Sequence, residues 1–481
     1  MLRHQNFING KWVDGKEGWL DIEDPATGEI IGQQALGNGD DINAAVAAAR
    51  QCASRGELAA MRPVDRGRMV KAIGEYILEH KDEIAPILTL EAGKPLWEAD
   101  IEVAGSARYF EYYGNQAETL EGRSIPLGDN YIDFTALEPY GVSAQIIPWN
   151  YPLEMAARSV STALTAGNAC VVKSPELDPL THDFLARAAD AVGLPAGALN
   201  IVCGYGEVAG AALAAHKDVN QVVFTGSVET GASVAAAAAK NIVPCVLELG
   251  GKSAAIVHDD ADIERVLSSV RWGIFFHAGQ VCSALSRLVV HESLHDEVVD
   301  AVAELARSIN VAPGNELAEF GDNMGPMISQ KQRDRAEALC IEAVQQGAKT
   351  VAGGHKLNRP GWFFEPTVFD DVTADMNIAN EEVFGPVLSV QRFRNDDEAI
   401  QIANAPEYGL VGGVFTKDSE RAIKAAKQLR AGQIFVNEWY AGGVETPFGG
   451  YGKSGYGREK GREALYNYVQ TKNIAIALKG E

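Results

Sequence analysis

Six cysteines lie at positions 52, 170, 203, 245, 282 and 340. None belongs to a C-x-x-C or C-x-x-H pair, so zinc and iron–sulfur sites lack a ligand framework and no metal is expected. Cys170, Cys203 and Cys245 sit inside apolar, strand-like runs and read as core fillers. Cys282 stands apart in the small-residue loop Gly279-Gln280-Val281-Cys282-Ser283-Ala284. A lone cysteine is commonly a small buried hydrophobe. As a thiolate it attacks carbonyls and later leaves again, which suits acyl chemistry. Asn150, in the sharp turn Pro148-Trp149-Asn150-Tyr151-Pro152, is either a turn former or an un-ionisable amide offered to a developing oxyanion. Glu248 ends an apolar run before Gly250-Gly251 and is either a solvated loop acid or a base tuned by an apolar cleft.

The elements that would position these groups alternate in type. Val142–Ile147 reads as a strand, Leu153–Ala166 as a helix and Cys170–Lys173 as a strand. A helix near His182–Val192, a strand near Leu199–Cys203 and a helix near Gly206–Ala214 follow. Gln221–Thr225, Val228–Lys240 and Pro244–Glu248 complete the alternation. Such repetition predicts crossover units and a parallel sheet covered on both faces, with ligands at the carboxyl ends of the strands. Polar and glycine residues cluster at those ends: Asn150, Lys173, Glu176, Gly226, Ser227, Glu248, Gly250 and Gly251. The row predicts a dinucleotide crevice, although no G-x-G-x-x-G fingerprint is present. A second α/β stretch spans about 253–447, with strands near Leu288–Val290, Val387–Val390, Gly412–Phe415 and Gln433–Val436. Ile125–Leu137 and Tyr468–Leu478 alternate without helices and read as protruding strands suited to pairing with another subunit.

The chain has 481 residues, 46% of them hydrophobic and 22% charged. That length fits two to four domains at roughly 100–200 residues each. With 42 Lys+Arg against 65 Asp+Glu, the net charge is −23. Such a surface repels nucleic acid and anionic membranes, so neither is an expected partner. No apolar run approaches the roughly 18 residues of a membrane span, and the amino terminus lacks a secretory signal. A cytoplasmic location is expected, where disulfides are improbable.

Seven motifs occur in order: IIPWNYPL (146–153), VVKSPE (171–176), FTGSVETG (224–231), LELGGKS (247–253), GQVCSA (279–284), EEVFGP (381–386) and PFGGYGKSGYGRE (447–459). Together they resemble the NAD(P)-dependent aldehyde dehydrogenase superfamily, over nearly the whole chain. The resemblance implies a Rossmann-like cofactor domain (1–121 and 140–250), an α/β catalytic domain (251–448) and a β oligomerisation arm with a C-terminal segment (122–139 and 449–481), assembling as a homodimer or homotetramer.

It also implies roles. Cys282 is the nucleophile, Asn150 with the Cys282 backbone N–H forms the oxyanion hole, and Glu248 activates water against a thioester. Acylating relatives that use coenzyme A lack a glutamate there, so a hydrolytic enzyme is expected. Lys173 and Glu176 resemble the K-x-x-E pattern for the adenosine ribose, and the Glu176 carboxylate would repel a 2′-phosphate, so NAD is expected over NADP. Ser227, after Gly226 at a helix start, is placed for the pyrophosphate. Glu382 and Phe384 resemble the pair at the nicotinamide ribose, Ile147, Trp149 and Leu249 complete the cofactor-binding set, and Gln332 is a weaker carry-over to the adenine-side ribose.

The aldehyde tunnel is expected to include Tyr151, Glu154, Arg158, Phe276, Trp439, Tyr440 and Phe448, with Gly442-Gly443 leaving room. Glu154 and Arg158 are four apart and share a helix face, either as a plain ion pair or with Arg158 free for a substrate carboxylate. Betaine-aldehyde-like members carry an aromatic where this chain has Arg158, whereas succinate-semialdehyde-like members carry an arginine. The expected substrate is a semialdehyde or an aromatic aldehyde. A betaine aldehyde or aminoaldehyde is the alternative, and a non-redox cysteine esterase is the rival without a cofactor.

Overall fold

The computed structural model describes residues 2–478. Five parallel strands form the centre of the first sheet: β1 (Val142–Ile146), β2 (Ala169–Ser174), β3 (Leu199–Cys203), β4 (Gln221–Thr225) and β5 (Cys245–Glu248). Their spatial order is β5-β4-β1-β2-β3; Gly455–Tyr456 is added beside β5, and Asn6–Ile8 with Lys11–Val13 beside β3. From β1 the chain builds outward through β2 and β3, then returns to lay β4 and β5 on the other side. A crevice opens at the strands' carboxyl ends where the order reverses this way. Val171, Val172, Val222 and Val223 are all buried. A parallel sheet covered on both faces needs apolar residues at consecutive positions, which explains the unbroken runs.

Three helices frame the functional region: α1 (Leu96–Gln116), α2 (Pro152–Ala166) and α3 (Val228–Ala239). α2 starts with Pro152, at a position whose amide hydrogen would go unused, and stops at Gly167 in left-handed backbone (φ 95°). Ser227 caps α3, its Oγ accepting from the Thr230 N–H at 3.2 Å.

The second sheet comprises β6 (Ala254–Val257), β7 (Arg287–His291), β8 (Lys349–Ala352), β9 (Thr367–Asp370), β10 (Val387–Phe393), β11 (Val411–Phe415) and β12 (Gln433–Val436). Its order is β8-β9-β10-β7-β6-β11-β12, and all pairs except β8–β9 are parallel. Each sheet has its own apolar core, one around Val142, Leu164 and Val222, the other around Ile274, Leu288 and Phe435.

Several expectations are corrected. Gly206–Ala214 is a widened π turn over Gly206–Gly210 followed by one α turn at Ala211–Ala214, consistent with glycine's low helix propensity. Ahead of Cys282, a stretch on which the sequence set no expectation, helix Ile263–Val270 gives way to a π turn at Arg271–Phe275, and His277 and Ala278 adopt left-handed backbone. The two protruding strands, expected to suit pairing with another subunit, pair with each other. Tyr131–Pro139 runs antiparallel to Val469–Ala477 from Tyr131↔Ala477 to Pro139↔Val469, which leaves Val469–Ala477 as an edge. The segment before it does not belong to this ribbon. Gly455 pairs with Glu248 in the first sheet, and Ala464, Leu465 and Tyr468 join the first core. Gly455 is required there: an added Cβ would lie 1.9 Å from the Leu247 carbonyl oxygen.

Candidate active site

Cys282, Asn150, Tyr151, Glu154, Arg158, Phe276 and Phe448 converge on one cavity of about 400 Å³. Tyr109, Tyr440, Gly442 and Lys460 also line it. Trp439, expected in the tunnel, is instead buried behind it, its Nε1–H donating to the Ser283 carbonyl at 3.1 Å. Packing against the ring of Phe435, 5.4 Å away between centroids, holds it on the core side.

Asn150 follows β1 in the expected turn and is buried. Its Nδ2 donates one hydrogen to the Gln280 carbonyl at 2.9 Å, so the turn is tied directly to the loop bearing the thiol. The amide's second hydrogen remains for a ligand in the cavity. The Cys282 thiol is pushed up to about 12, chiefly by burial, with Arg158 pulling the other way. At neutral pH it is therefore protonated and must lose its proton as it attacks.

Glu248 ends β5 in register with Thr225 and Gly455. It is 1% exposed, and neither carboxyl oxygen has a hydrogen-bond partner among the described residues. Burial lifts its carboxyl well above the usual range, Arg158 opposing and Glu459 reinforcing the shift. Its residue is not part of the cavity lining. An acid kept neutral at rest can take up a proton only after it ionises.

Arg158 pairs with Glu459, both side chains being nearly inaccessible, and donates from Nη2 to Thr225 Oγ1 at 3.3 Å. Neither alternative for this helix face is found: among the described residues Glu154 and Arg158 form no ion pair, and Arg158 is occupied by Glu459 rather than free. Burial opposes the Arg158 charge, yet Glu459 holds its guanidinium above its ordinary value. Glu154 is left facing the cavity, and burial together with Glu102 pushes its carboxyl up to about 7. Lys460, one residue beyond Glu459, lies with its Nζ 5.8 Å from the Phe448 ring centre. Burial lowers its ammonium.

The crevice at the strand ends carries the remaining residues. Lys173 Nζ bonds Glu176 Oε2 at 2.7 Å, with Glu176 about one-third exposed and able to accept from a ligand. Ser227 is exposed at the start of α3, next to amides that face outward. Gly226 is needed because an added Cβ would meet the Phe224 ring at 2.5 Å. Glu382 Oε1 accepts from the Gly251 N–H at 3.0 Å, and burial pushes its carboxyl up to about 7. Phe384, itself left-handed (φ 56°), meets Trp149 edge-on with ring centres 5.2 Å apart. Ile147 and Leu249 are buried nearby in the sequence of the same strand ends. Gln332 occupies the first turn of helix Gln330–Gln346, its N–H on Ser329 Oγ.

Sequence reading missed Tyr109 and Lys460 on the cavity wall, Glu459 on Arg158, and three buried groups on or beside α1: Lys94, Glu98 and Glu102. The last two had a signal, since carboxylates four apart share one helix face.

The reversed strand order of a parallel sheet, with the half-buried Cys282 thiol and the buried Asn150 amide on one cavity beside a second α/β sheet, is the arrangement of dinucleotide-binding α/β enzymes. Residues 12–474 match the model of the aldehyde dehydrogenase family. The chain is 41% identical over 477 residues to aldehyde dehydrogenase family 2 member B4 of Arabidopsis thaliana, covering 98% of this chain and 88% of that protein. It is 40% identical to the benzaldehyde dehydrogenase of Antirrhinum majus, covering 98% and 89%. The structure of betaine aldehyde dehydrogenase from Staphylococcus aureus in complex with NAD+ superposes with a TM-score of 0.97 at 36% identity, covering all of this chain and 96% of that one. The chain belongs to the aldehyde dehydrogenase family and is an oxidoreductase acting on aldehydes. Among the described residues no helix is long and apolar enough to cross a membrane.

Proposed function

We propose that this protein oxidises an aldehyde to its carboxylic acid with NAD, through a thioester on Cys282 that water then cleaves. The observation that carries this reading is the Cys282 thiol and the Asn150 amide on one cavity, joined through Gln280. Lys173 and Glu176 would hold the adenosine ribose, and Ser227 with the α3 amides the pyrophosphate. Glu382 would hold the nicotinamide ribose, with Ile147, Trp149, Leu249 and Phe384 packing around the cofactor. NAD, when bound, supplies the hydride acceptor. NADP is disfavoured by the Glu176 carboxylate, which would repel a 2′-phosphate.

In this mechanism Cys282 sulfur bonds to the aldehyde carbon as its thiol proton passes to solvent water. The resulting oxyanion accepts from the free Asn150 N–H and the Cys282 backbone N–H; loss of one such donor costs about 2.7–4 kcal/mol in other enzymes. Loss of hydride leaves the thioester. Glu248 rotates toward it, takes a proton from water, and the hydroxide so formed displaces the thiolate. The proton on Glu248 passes to the Cys282 thiolate, which restores the thiol, and the carboxylic acid leaves.

For substrate we favour an aromatic aldehyde over a semialdehyde. Tyr109, Tyr151, Phe276, Tyr440 and Phe448 surround the space, and the guanidinium that would have met a carboxylate tail is already neutralised by Glu459. A cationic aldehyde is the second reading, favoured by Glu154, which faces the aromatic cavity without an ion-pair partner among the described residues. The exposed apolar ribbon residues Tyr131, Ile132 and Ile476 support assembly as a homodimer or homotetramer. Six free cysteines suit a cytoplasmic setting.

The test is formation of reduced cofactor with benzaldehyde, betaine aldehyde and succinate semialdehyde, each with NAD and NADP. Benzaldehyde with NAD should be turned over best. Cys282→Ser should lose nearly all turnover while still binding NAD, because a hydroxyl is a far weaker nucleophile. Substantial turnover by that variant would sink the mechanism.

A further inference from the structure

We propose that Glu98 is a positioning residue of the oxyanion hole: its carboxyl, bonded to the His277 N–H, fixes the left-handed turn ahead of Cys282 and so the spacing between Asn150 and the thiol. This rests on the proposed nucleophilic role of Cys282.

Glu98 and Glu102 stand one turn apart on α1 and are buried, as is Lys94 just before the helix. Glu102 holds the Asn150 side. Its Oε1 accepts from the Leu153 and Glu154 N–H groups at 3.1 and 3.3 Å, first-turn amides of α2 that have no partner within the helix. Its Oε2 pairs with Lys94 Nζ, which also donates to the Asn150 carbonyl at 3.1 Å. Glu98 holds the other side, both carboxyl oxygens receiving the His277 N–H at 3.2 and 3.1 Å.

His277, Ala278 and Gly279 have φ of 47°, 50° and 70°. Two consecutive residues with a Cβ are unfavourable in that region and persist only where surrounding bonds over-determine them. The bonds are present. Besides Glu98, Gln280 Nε2 donates to the His277 carbonyl at 3.2 Å, and Gln280 Oε1 accepts from the Ile328 N–H at 3.0 Å. Asn150 Nδ2 then closes the frame on the Gln280 carbonyl. Both donors of the oxyanion hole thus hang from one face of one helix, and the helical rise sets their separation. Without Glu98 the His277 N–H loses its acceptor and the turn is free to relax.

Two cofactor-free reactions at Cys282 separate positioning from collapse. Acylation by para-nitrophenyl acetate develops an oxyanion, whereas alkylation by iodoacetamide does not. In Glu98→Ala, acylation should fall by roughly 100-fold, the scale of an ångström-level misplacement, while alkylation changes little. Glu98→Gln keeps one carbonyl acceptor and should recover most of the acylation rate. Parallel loss of both reactions, unchanged acylation in Glu98→Ala, or no recovery with Gln would each overturn the proposal. Failure of either reagent to label Cys282 in the unaltered protein would overturn the nucleophile assignment itself, a different and recognisable result.

Discussion

Arg158 is paired with Glu459 from the C-terminal segment, although Glu154 stands one helical turn away from it on α2. The guanidinium therefore braces the tunnel wall, and Glu154 lines the cavity without an ion-pair partner among the described residues.

Arg158→Leu should accordingly lower kcat/KM for benzaldehyde and succinate semialdehyde by similar factors. Removing one partner of a buried pair leaves the other uncompensated, which typically costs about 3–5 kcal/mol, so the variant should also melt earlier. Adding Glu459→Gln should restore much of that stability. A loss confined to the carboxylated aldehyde would show instead that Arg158 reaches the substrate tail.

Glu154→Gln should discriminate among substrates where Arg158→Leu does not. For a cationic aldehyde the lost attraction should raise KM by roughly tenfold, equivalent to about 1.4 kcal/mol. Benzaldehyde should be nearly unaffected. Equal effects on both would remove Glu154 from substrate recognition.

Glu248→Gln should slow thioester hydrolysis far more than its formation. Rapid mixing with NAD and benzaldehyde is expected to give a burst of reduced cofactor and then very slow turnover. Because burial raises the Glu248 carboxyl, the hydrolytic step in the unaltered enzyme should speed up as pH rises and the acid ionises. Equal slowing of burst and steady state would mean that Glu248 also takes the Cys282 proton.

Glu98 carries a stability signature. Burial pushes its carboxyl from 4.5 up to about 8, so the folded state holds a proton that the unfolded chain has released. Its contribution is full below 4.5 and is lost as pH rises through about 8. Glu98→Gln has no proton to lose. Across that window the melting temperature of the unaltered protein should fall relative to the variant, and the difference should level off above it. A constant difference would mean the carboxyl titrates normally.

Much of this was legible in the sequence because it depends on local pattern. The strand–helix alternation over 142–248 announces the doubly covered parallel sheet of β1 to β5, and Leu153–Ala166 already reads as the helix found at Pro152–Ala166. The partner of Arg158 was not legible. Spacing on one helix suggested Glu154, whereas Glu459 reaches it only because a segment some 300 residues later, 459 − 158 = 301, returns beside β5. The burial of Trp439 likewise follows from packing against Phe435 and a bond to Ser283, neither visible in a pattern of aromatics. His277 and Ala278 carry no glycine-like signal for a left-handed turn, since their conformation is imposed by Glu98 from another helix.

The course of the last stretch of chain bears on how this protein can be re-engineered. Gly455 and Tyr456 lie along β5, Glu459 locks onto Arg158, Lys460 lines the cavity, and Val469–Ala477 runs out into the exposed ribbon. One continuous thread thus visits the strand of Glu248, the tunnel wall and the outer edge within about two dozen residues. Grafting a relative's C-terminus to alter assembly would at the same time rewrite the wall beside the substrate. In chimaera design this tail is not an interchangeable cassette, and the natural cut points fall elsewhere in the chain.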